Sequence, residues 1–255
     1  MKIASWNINS LKVRLPHLLE WLGTAEPDVV ALQEIKQVTE DFPVDTFTEH
    51  GYHAIASGQR TYNGVATLGR VPLTEALTDL DHFPDPQRRI LATTVDGVRV
   101  INFYVPNGQR LASGKYEYKL EWLAAARGYL ASELEQHARV VVLGDFNIAP
   151  DDRDVYDPVA WGEDIHTSGP EREALNDIVN LGLTDVFRKF PQPEKTFSWW
   201  DYRRGRFRRN AGLRIDLILA NPAMTERCTA CYVDREPRTW ERPSDHAPIV
   251  AEFAL

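Results

Sequence analysis

This sequence predicts an α/β fold of mixed sheets with helices on their outer faces. Short apolar runs of strand length outnumber helical stretches. Hairpin signals are interleaved with helical crossovers, a pattern that a plain parallel sheet does not show. The composition is that of a globular chain, 43% apolar and 26% charged over 255 residues, enough to bury a core without disulfide or metal staples. No low-complexity linker and no exact repeat interrupts the chain, so one domain over 1–255 is expected.

The elements follow in order. Ile3, Ser5 and Asn7 alternate with Ala4, Trp6 and Ile8, which predicts a strand over 2–8. Ser10 is a candidate cap for a helix carrying Leu15, Leu18, Leu19 and Leu22, with Pro16 near its start and Gly23 and Pro27 stopping it. The run 29–34 is apolar on both faces, as a covered central strand should be, and ends in Gln33-Glu34. Strands are expected at 52–56, 63–69, 89–95 and 98–105, with Asp96-Gly97 as a hairpin turn. A long helix over 115–136 places Tyr116, Leu120, Leu123, Leu130 and Leu134 on one face. A buried strand at 140–143 follows, then a helix at 171–181 between Pro170 and Gly182. Strands near 196–200, 214–220, 228–234 and 247–253 complete the chain. Strand–helix–strand with a carboxylate at the second strand's end occurs twice, around Glu34 and around Asp145.

Charge and composition narrow the function. Basic residues number 29 and acidic residues 37, a net charge of −8. That argues against a nucleic-acid coat protein, whose binding rests on phosphate neutralisation, but not against an enzyme with a local basic patch. No apolar stretch is long enough to span a membrane. The start, MKIASWNINS, reads as a strand and not as a leader. Two cysteines suggest a reducing compartment, the cytoplasm.

Five segments place polar residues just past apolar strands: Trp6-Asn7-Ile8-Asn9, Leu32-Gln33-Glu34, Gly144-Asp145-Phe146-Asn147, Leu213-Arg214-Ile215-Asp216 and Ser244-Asp245-His246-Ala247. Each alone also reads as a turn, a cap or a surface pair. Together they would build a dense acidic centre at the strand ends, where ligand sites form in such folds. A hard divalent cation, Mg2+ with Mn2+ as a substitute, relieves the repulsion. Glu34, at the end of a buried strand, is the best-placed ligand. Asn7 supports the same ion, and Asp245, Asp145 and Asn147 adjoin it. Asp145 is the candidate for orienting or deprotonating an attacking water. Asn147, two residues on, points the same way if the strand continues, and would stabilise growing charge.

The combination SWNIN, LQEIK, NFYVPNG, GDFNIAP, FSWWDY, GLRIDLIL and PSDHAP resembles the exonuclease III / AP endonuclease branch of the endonuclease–exonuclease–phosphatase superfamily, from residue 2 to about 253. The resemblance implies a four-layered α/β sandwich, two packed mixed sheets flanked by helices. It implies metal-dependent hydrolysis of DNA phosphodiesters in base excision repair: cleavage 5′ of abasic sites, 3′→5′ degradation of duplex DNA, or removal of 3′ phosphates, leaving 3′-hydroxyl and 5′-phosphate ends. It further implies that His246 contacts the scissile phosphate with Asp216 as its partner carboxylate. It places Tyr104 against the phosphate, Asn107 on the substrate, and Trp199 and Leu213 at a pocket for the abasic sugar.

Residues 201–214 carry Arg203, Arg204, Arg206, Arg208, Arg209 and Arg214, a one-sign cluster in an acidic protein. With Arg88 and Arg89 they form the expected surface for the backbone of duplex DNA. Phe197, Trp200 and Trp240 read as packing residues. Cys228 and Cys231 have CxxC spacing, but positions three apart on a strand face opposite ways, so they read as inert. His17, His50, His53, His82, His137 and His166 show no ligand spacing. Gly64, Gly69 and Gly108 form no phosphate loop. A monomer without an obligate protein partner or a membrane suits such an enzyme. The rival readings are a phosphatase or phosphodiesterase of small or lipid phosphates and an inactive DNA-binding scaffold.

Overall fold

The computed structural model describes residues 1–80 and 82–255. Its strands are β1 (Lys2–Asn7), β2 (Val29–Gln33), β3 (His53–Ser57), β4 (Val65–Gly69), β5 (Thr74–Leu77), β6 (Ile90–Val95), β7 (Val98–Tyr104), β8 (Val140–Asp145), β9 (Thr184–Asp185), β10 (Asp216–Ala220), β11 (Cys228–Val233) and β12 (Ile249–Phe253). Its helices are α1 (Leu11–Ala25), α2 (Val44–Glu49), α3 (Gly114–Gln136), α4 (Pro158–Trp161), α5 (Gly169–Val179) and α6 (Pro222–Thr225). The strands form two six-stranded sheets, ordered β11-β12-β1-β2-β4-β3 and β5-β6-β7-β8-β10-β9. Each holds one parallel pair, β1 with β2 and β7 with β8, joined by crossover helices α1 and α3. The two strand–helix–strand units legible in the sequence are therefore equivalent parts of the two sheets.

Period-two alternation assigns every strand residue to one of two faces. Ile3, Val29 and Ala31 of the first sheet meet Val98, Val100, Val141, Leu143, Ile218 and Ala220 of the second in one apolar seam. The other phase of β1 and β2, with Ala4, Trp6, Val30 and Leu32, packs beneath α1 and α2. Ile101, Phe103, Val140, Val142, Leu217 and Leu219 pack beneath α3 and α5. The result is four layers, helix–sheet–sheet–helix. Gly144 lies where two strands approach closely: φ is +147°, and a Cβ there would fall 1.8 Å from the Phe103 carbonyl oxygen.

Local expectations fail where long-range partners intervene. The Ser10 side chain caps nothing. Its backbone N–H instead donates to the Glu34 carbonyl at 2.7 Å and that of Leu11 to Ile35 at 3.1 Å, so the strand-end loop closes the helix start. Pro16 sits within α1, past its first turn. No strand forms at 196–200. Residues 198–200 are laced between two other segments, Trp199 exchanging bonds with Leu213 while Trp200 donates to the Asp245 carbonyl and Ala247 to that of Ser198. Cys228 and Cys231 both face the apolar seam, because a bulge between Cys228 and Ala230 shifts the phase of β11 by one residue. Both thiols are free. Phe197 and Trp200 are fully buried, and Trp240 packs partly buried under α1. No helix among the described residues is long and apolar enough to cross a membrane.

Arg214 corrects the reading of the arginine cluster. It is fully buried, with Nε 2.6 Å from Asp154 and Nη2 2.8 Å from Asp185. Arg188 joins the same Asp154 carboxylate. Arg214 ties the segment entering β10 to the loop after β8 and presents nothing to a ligand. Arg214→Met should destabilise the fold by about 3–5 kcal/mol, because it leaves Asp185 without its cation and Asp154 with Arg188 alone. Urea melts of the variant beside the wild type would check this.

Candidate active site

The inward-facing rows end in polar groups at one mouth of the apolar seam. Ile3, Ser5 and Asn7 share a phase on β1, as do Val141, Leu143 and Asp145 on β8 and Asp216, Ile218 and Ala220 on β10. Register aligns them: Asp145 lies opposite Asp216 across β8 and β10 and beside Tyr104 across β7 and β8. Below this mouth a buried polar bridge joins the sheets. Gln33 donates to Asn102 at 2.7 Å, and Asn102 donates to the carbonyls of Leu32 and Ala66 at 3.0 and 2.9 Å.

Asn7 stands at the centre. Its amide nitrogen is 2.9 Å from Glu34 Oε1 and 2.9 Å from Asp145 Oδ2. One donor thus holds two carboxylates from different sheets. Its amide oxygen accepts from the Asn9 N–H at 3.0 Å. Glu34 adopts a left-handed backbone, φ 53°. Its second oxygen is 2.8 Å from Lys36 Nζ, which also donates to Asn9 at 2.6 Å.

His246 Nδ1 is 2.9 Å from Asp216 Oδ2, and its Nε2 is 3.7 Å from Asp145 Oδ2. Ser244 fixes the loop from below, donating to the Asn7 carbonyl at 2.6 Å and accepting the His246 N–H at 3.2 Å. Burial alone would lower the His246 pKa. Asp216 and then Asp145 outweigh that and raise it, so the ring is held as imidazolium. Asp145 is pushed up chiefly by burial and further by Asp216 and Glu34, against the opposing pull of His246 and Asn7.

Asn147 reaches the site by a turn and not by strand continuation. β8 ends at Asp145, and Asn147 is left-handed, φ 51°, with its N–H donating to Asp145 Oδ1 at 2.9 Å. Its side chain accepts from Asn107 at 3.0 Å and donates to the Val105 carbonyl at 3.0 Å. Tyr104 is buried, and burial together with Glu34 keeps its phenol protonated. Arg89 supports it: the guanidinium lies 4.7 Å from the ring centroid and donates to the Tyr104 carbonyl at 3.2 Å. Arg89 is therefore buried against the protein and does not form a free surface pair with Arg88, whose own guanidinium is 3.2 Å from Asp79.

Asp245 is linked to Glu34 only through Asn9 and Lys36. Its oxygens accept from Asn9 at 2.8 Å and from Trp199 Nε1 at 3.0 Å. It orients the tryptophan that walls a cleft of about 510 Å³ with Trp161, Ile165, His166 and Arg206. Leu213 does not line this cleft. It is fully buried behind Trp199 with Ala149, Val155 and Ile215. Around the 203–205 turn, Arg203 is paired with Asp201 at 2.6 Å. Arg204, Arg206 and Arg209 line a neighbouring cavity of about 360 Å³, Arg208 is exposed, and Phe207 anchors the loop against Trp200.

Three participants were not legible in the sequence: Lys36, Lys119 and His166. His166 Nδ1 is 2.7 Å from the Asn147 carbonyl, and its ring lies 6.1 Å from Trp199. Burial, then Lys119, lowers its pKa from 6.5 to about 4, so it is neutral with Nδ1 as donor. The unfolded chain takes up this proton near 6.5 and the folded chain only near 4. Stability from this group is therefore full above pH 6.5 and is lost as pH falls toward 4, by roughly 2–4 kcal/mol. His166→Gln should flatten that part of the pH–stability curve in urea melts.

The carboxylates outnumber the cations here. Asp145 and Asp216 offer oxygen atoms within 4.8 Å of each other, the His246 imidazolium beside them is not a ligand, and Asp216 Oδ1 is buried without a protein partner among the described residues. Hard oxygen donors with one unsatisfied buried carboxylate oxygen fit a divalent cation.

Residues 4–246 match the model of the Endonuclease/Exonuclease/phosphatase family. The exodeoxyribonuclease III of Haemophilus influenzae is 37% identical, over 99% of this chain and 100% of its own. The 3′ phosphatase NExo from Neisseria, solved bound to product DNA hairpin, superposes with a TM-score of 0.98 at 46% identity, covering 100% of both chains. An AP endonuclease from Archaeoglobus fulgidus gives 0.97 at 38% identity, again covering 100% of both chains.

Proposed function

The chain belongs to the endonuclease/exonuclease/phosphatase family, and from that premise we propose that it hydrolyses phosphate esters of duplex DNA in repair. It removes 3′ phosphates and 3′-terminal nucleotides and incises 5′ of abasic sites, leaving 3′-hydroxyl and 5′-phosphate ends. The observation that carries this reading is the His246–Asp216 pair facing Asp145, with Asn7 joining Asp145 to Glu34. The relatives named above act on DNA or its 3′ ends, and the loop arginines beside the Trp199 cleft supply cations for a DNA backbone.

The family depends on a divalent metal, and the donor set fits Mg2+, with Mn2+ as the alternative. Glu34 and Asp145 would hold it, Asn7 supporting through Glu34, and when bound it offsets phosphate charge and eases departure of the 3′ oxygen. Asp145, in its ionised form, accepts the proton of the attacking water. His246 directs its Nε2–H at a non-bridging oxygen, and Asp216 keeps that ring charged and oriented. Asn147 has a second amide N–H for the same phosphate, and Tyr104 donates its phenol proton from the other side. In this reading the enzyme works as a monomer in the cytoplasm, where free thiols persist.

The test uses three end-labelled duplexes: one with a nick bearing a 3′ phosphate, one with an abasic analogue, and one undamaged. Each is incubated with Mg2+, Ca2+ or EDTA. Mg2+-dependent phosphate release, a ladder from the 3′ end and incision 5′ of the lesion are the expected products. No product from any duplex, with hydrolysis of a small phosphate ester instead, would replace this reading with the small-molecule phosphatase.

A further inference from the structure

Beneath the site lies an ionised pair that the mechanism above does not use. Lys119 of α3 and Glu171 of α5 are both fully buried and bonded to each other. The Lys119 ammonium also donates to the Asn147 carbonyl at 2.7 Å and reaches the Asn107 carbonyl at 3.4 Å. One cation therefore grips the two loops whose side chains meet as the Asn107–Asn147 pair. Glu171 is fully engaged on its own side. It accepts the N–H groups of His166 and Ser168 at 3.2 Å each, and the Ser168 hydroxyl at 2.6 Å. Gly108, at φ +84°, settles against the lysine stem, where a Cβ would be 3.2 Å from Lys119 Cδ and 2.8 Å from Ile165.

Stability alone is a poor reason for this arrangement. Burying two charges costs about as much as their attraction returns, and an apolar pair of similar volume often does as well. What the ammonium supplies that an apolar side chain cannot is direction. With His166, it places a second donor on the Asn147 carbonyl. Asn147 is then held at all four polar groups: N–H on Asp145, carbonyl under Lys119 and His166, amide oxygen under Asn107, amide nitrogen on Val105.

We propose that Lys119, fixed by Glu171, is a positioning residue that holds Asn107 and Asn147 in the geometry needed to meet the reacting phosphate. The inference rests on the phosphate-facing role given to Asn147 above.

The test compares two charge-neutral pairs on the 3′-phosphate duplex. Lys119→Met with Glu171→Gln removes the donor to the Asn147 carbonyl; Lys119→Gln with Glu171→Gln offers an amide donor in its place. The first should lower kcat about 10–100-fold with KM nearly unchanged, and the second should recover much of the loss. In an Asn147→Ala background the first pair should add little further loss, since Lys119 acts through that amide. Should the methionine pair fail to fold, Lys119→Ala with Glu171→Gln, which also lacks the donor, taken through the same Asn147→Ala cycle decides the matter. Unchanged kcat, a loss confined to KM, or an equal loss in the Asn147→Ala background would overturn the proposal. Failure of the functional reading is separately visible, because the wild-type protein would then release no phosphate.

Discussion

Asp145→Asn should lower kcat by about 10²–10⁴-fold, the range for loss of a positioned general base. The substitution keeps shape and one acceptor oxygen, so the Asn147 turn at 2.9 Å can persist. It removes the ability to take a proton and the negative charge that faces His246 and would hold the cation, and it turns an amide N–H toward the Asn7 amide, from which Asp145 Oδ2 accepts at 2.9 Å. Asp145 is buried at the end of β8 and does not line the arginine cavity, so duplex affinity should be little altered. Burial already disfavours its carboxylate, which offsets the lost bond from Asn7, so the variant should melt close to the wild-type temperature. Single-turnover rates beside binding titrations separate these effects. Turnover at the wild-type rate would remove Asp145 from the chemistry.

Asp216→Asn and His246→Gln should each cost about 10²–10⁴-fold in kcat, and the double variant should be little worse than either single one. The reason is the 2.9 Å bond between them. Asp216 meets the reaction only by holding the imidazolium charged and aimed, so its effect disappears once the ring is gone. Losses that multiply in the double variant would show instead that Asp216 has an independent role. Its unpartnered Oδ1 makes metal binding the leading one. Metal titration of the single variants would then report weaker binding for Asp216→Asn and not for His246→Gln.

Asn7, Asp145 and Asp216 could be singled out from sequence because each stands at one end of an apolar alternating run, whereas His246 lies three residues before β12. Asn7, Asp145 and Asp216 are in phase with Ile3, Leu143 and Ile218, so whatever buries those side chains also turns the polar ones inward. The Asp96-Gly97 turn is equally local, with φ of 49° and 74° where the hairpin pairs Val95 with Val98. Arg214 was misread for the opposite reason. It shares composition and neighbourhood with Arg203 to Arg209, but the segment entering β10 carries it inward to Asp154, 60 residues earlier in the chain. Leu213 was misread beside it, since the segment that exchanges bonds with Trp199 turns the leucine to the rear. Cys228 and Cys231 depended on a bulge that no local pattern announces.

The sequence by itself determined the two crossover units, the main strands and helices around them, the inward phase of β1, β2, β8 and β10, and the polar residues at their ends. Those follow from side-chain period and turn chemistry, which act between near neighbours. Only the tertiary structure decided the partners: Asn7 between Glu34 and Asp145, His246 on Asp216, Asp245 turned to Trp199, and Lys119 under Asn147. Pairing of this kind depends on register between strands and loops far apart in the chain. A buried polar group takes whichever partner that register brings within hydrogen-bond reach, since remaining unpaired there costs more than any local preference supplies.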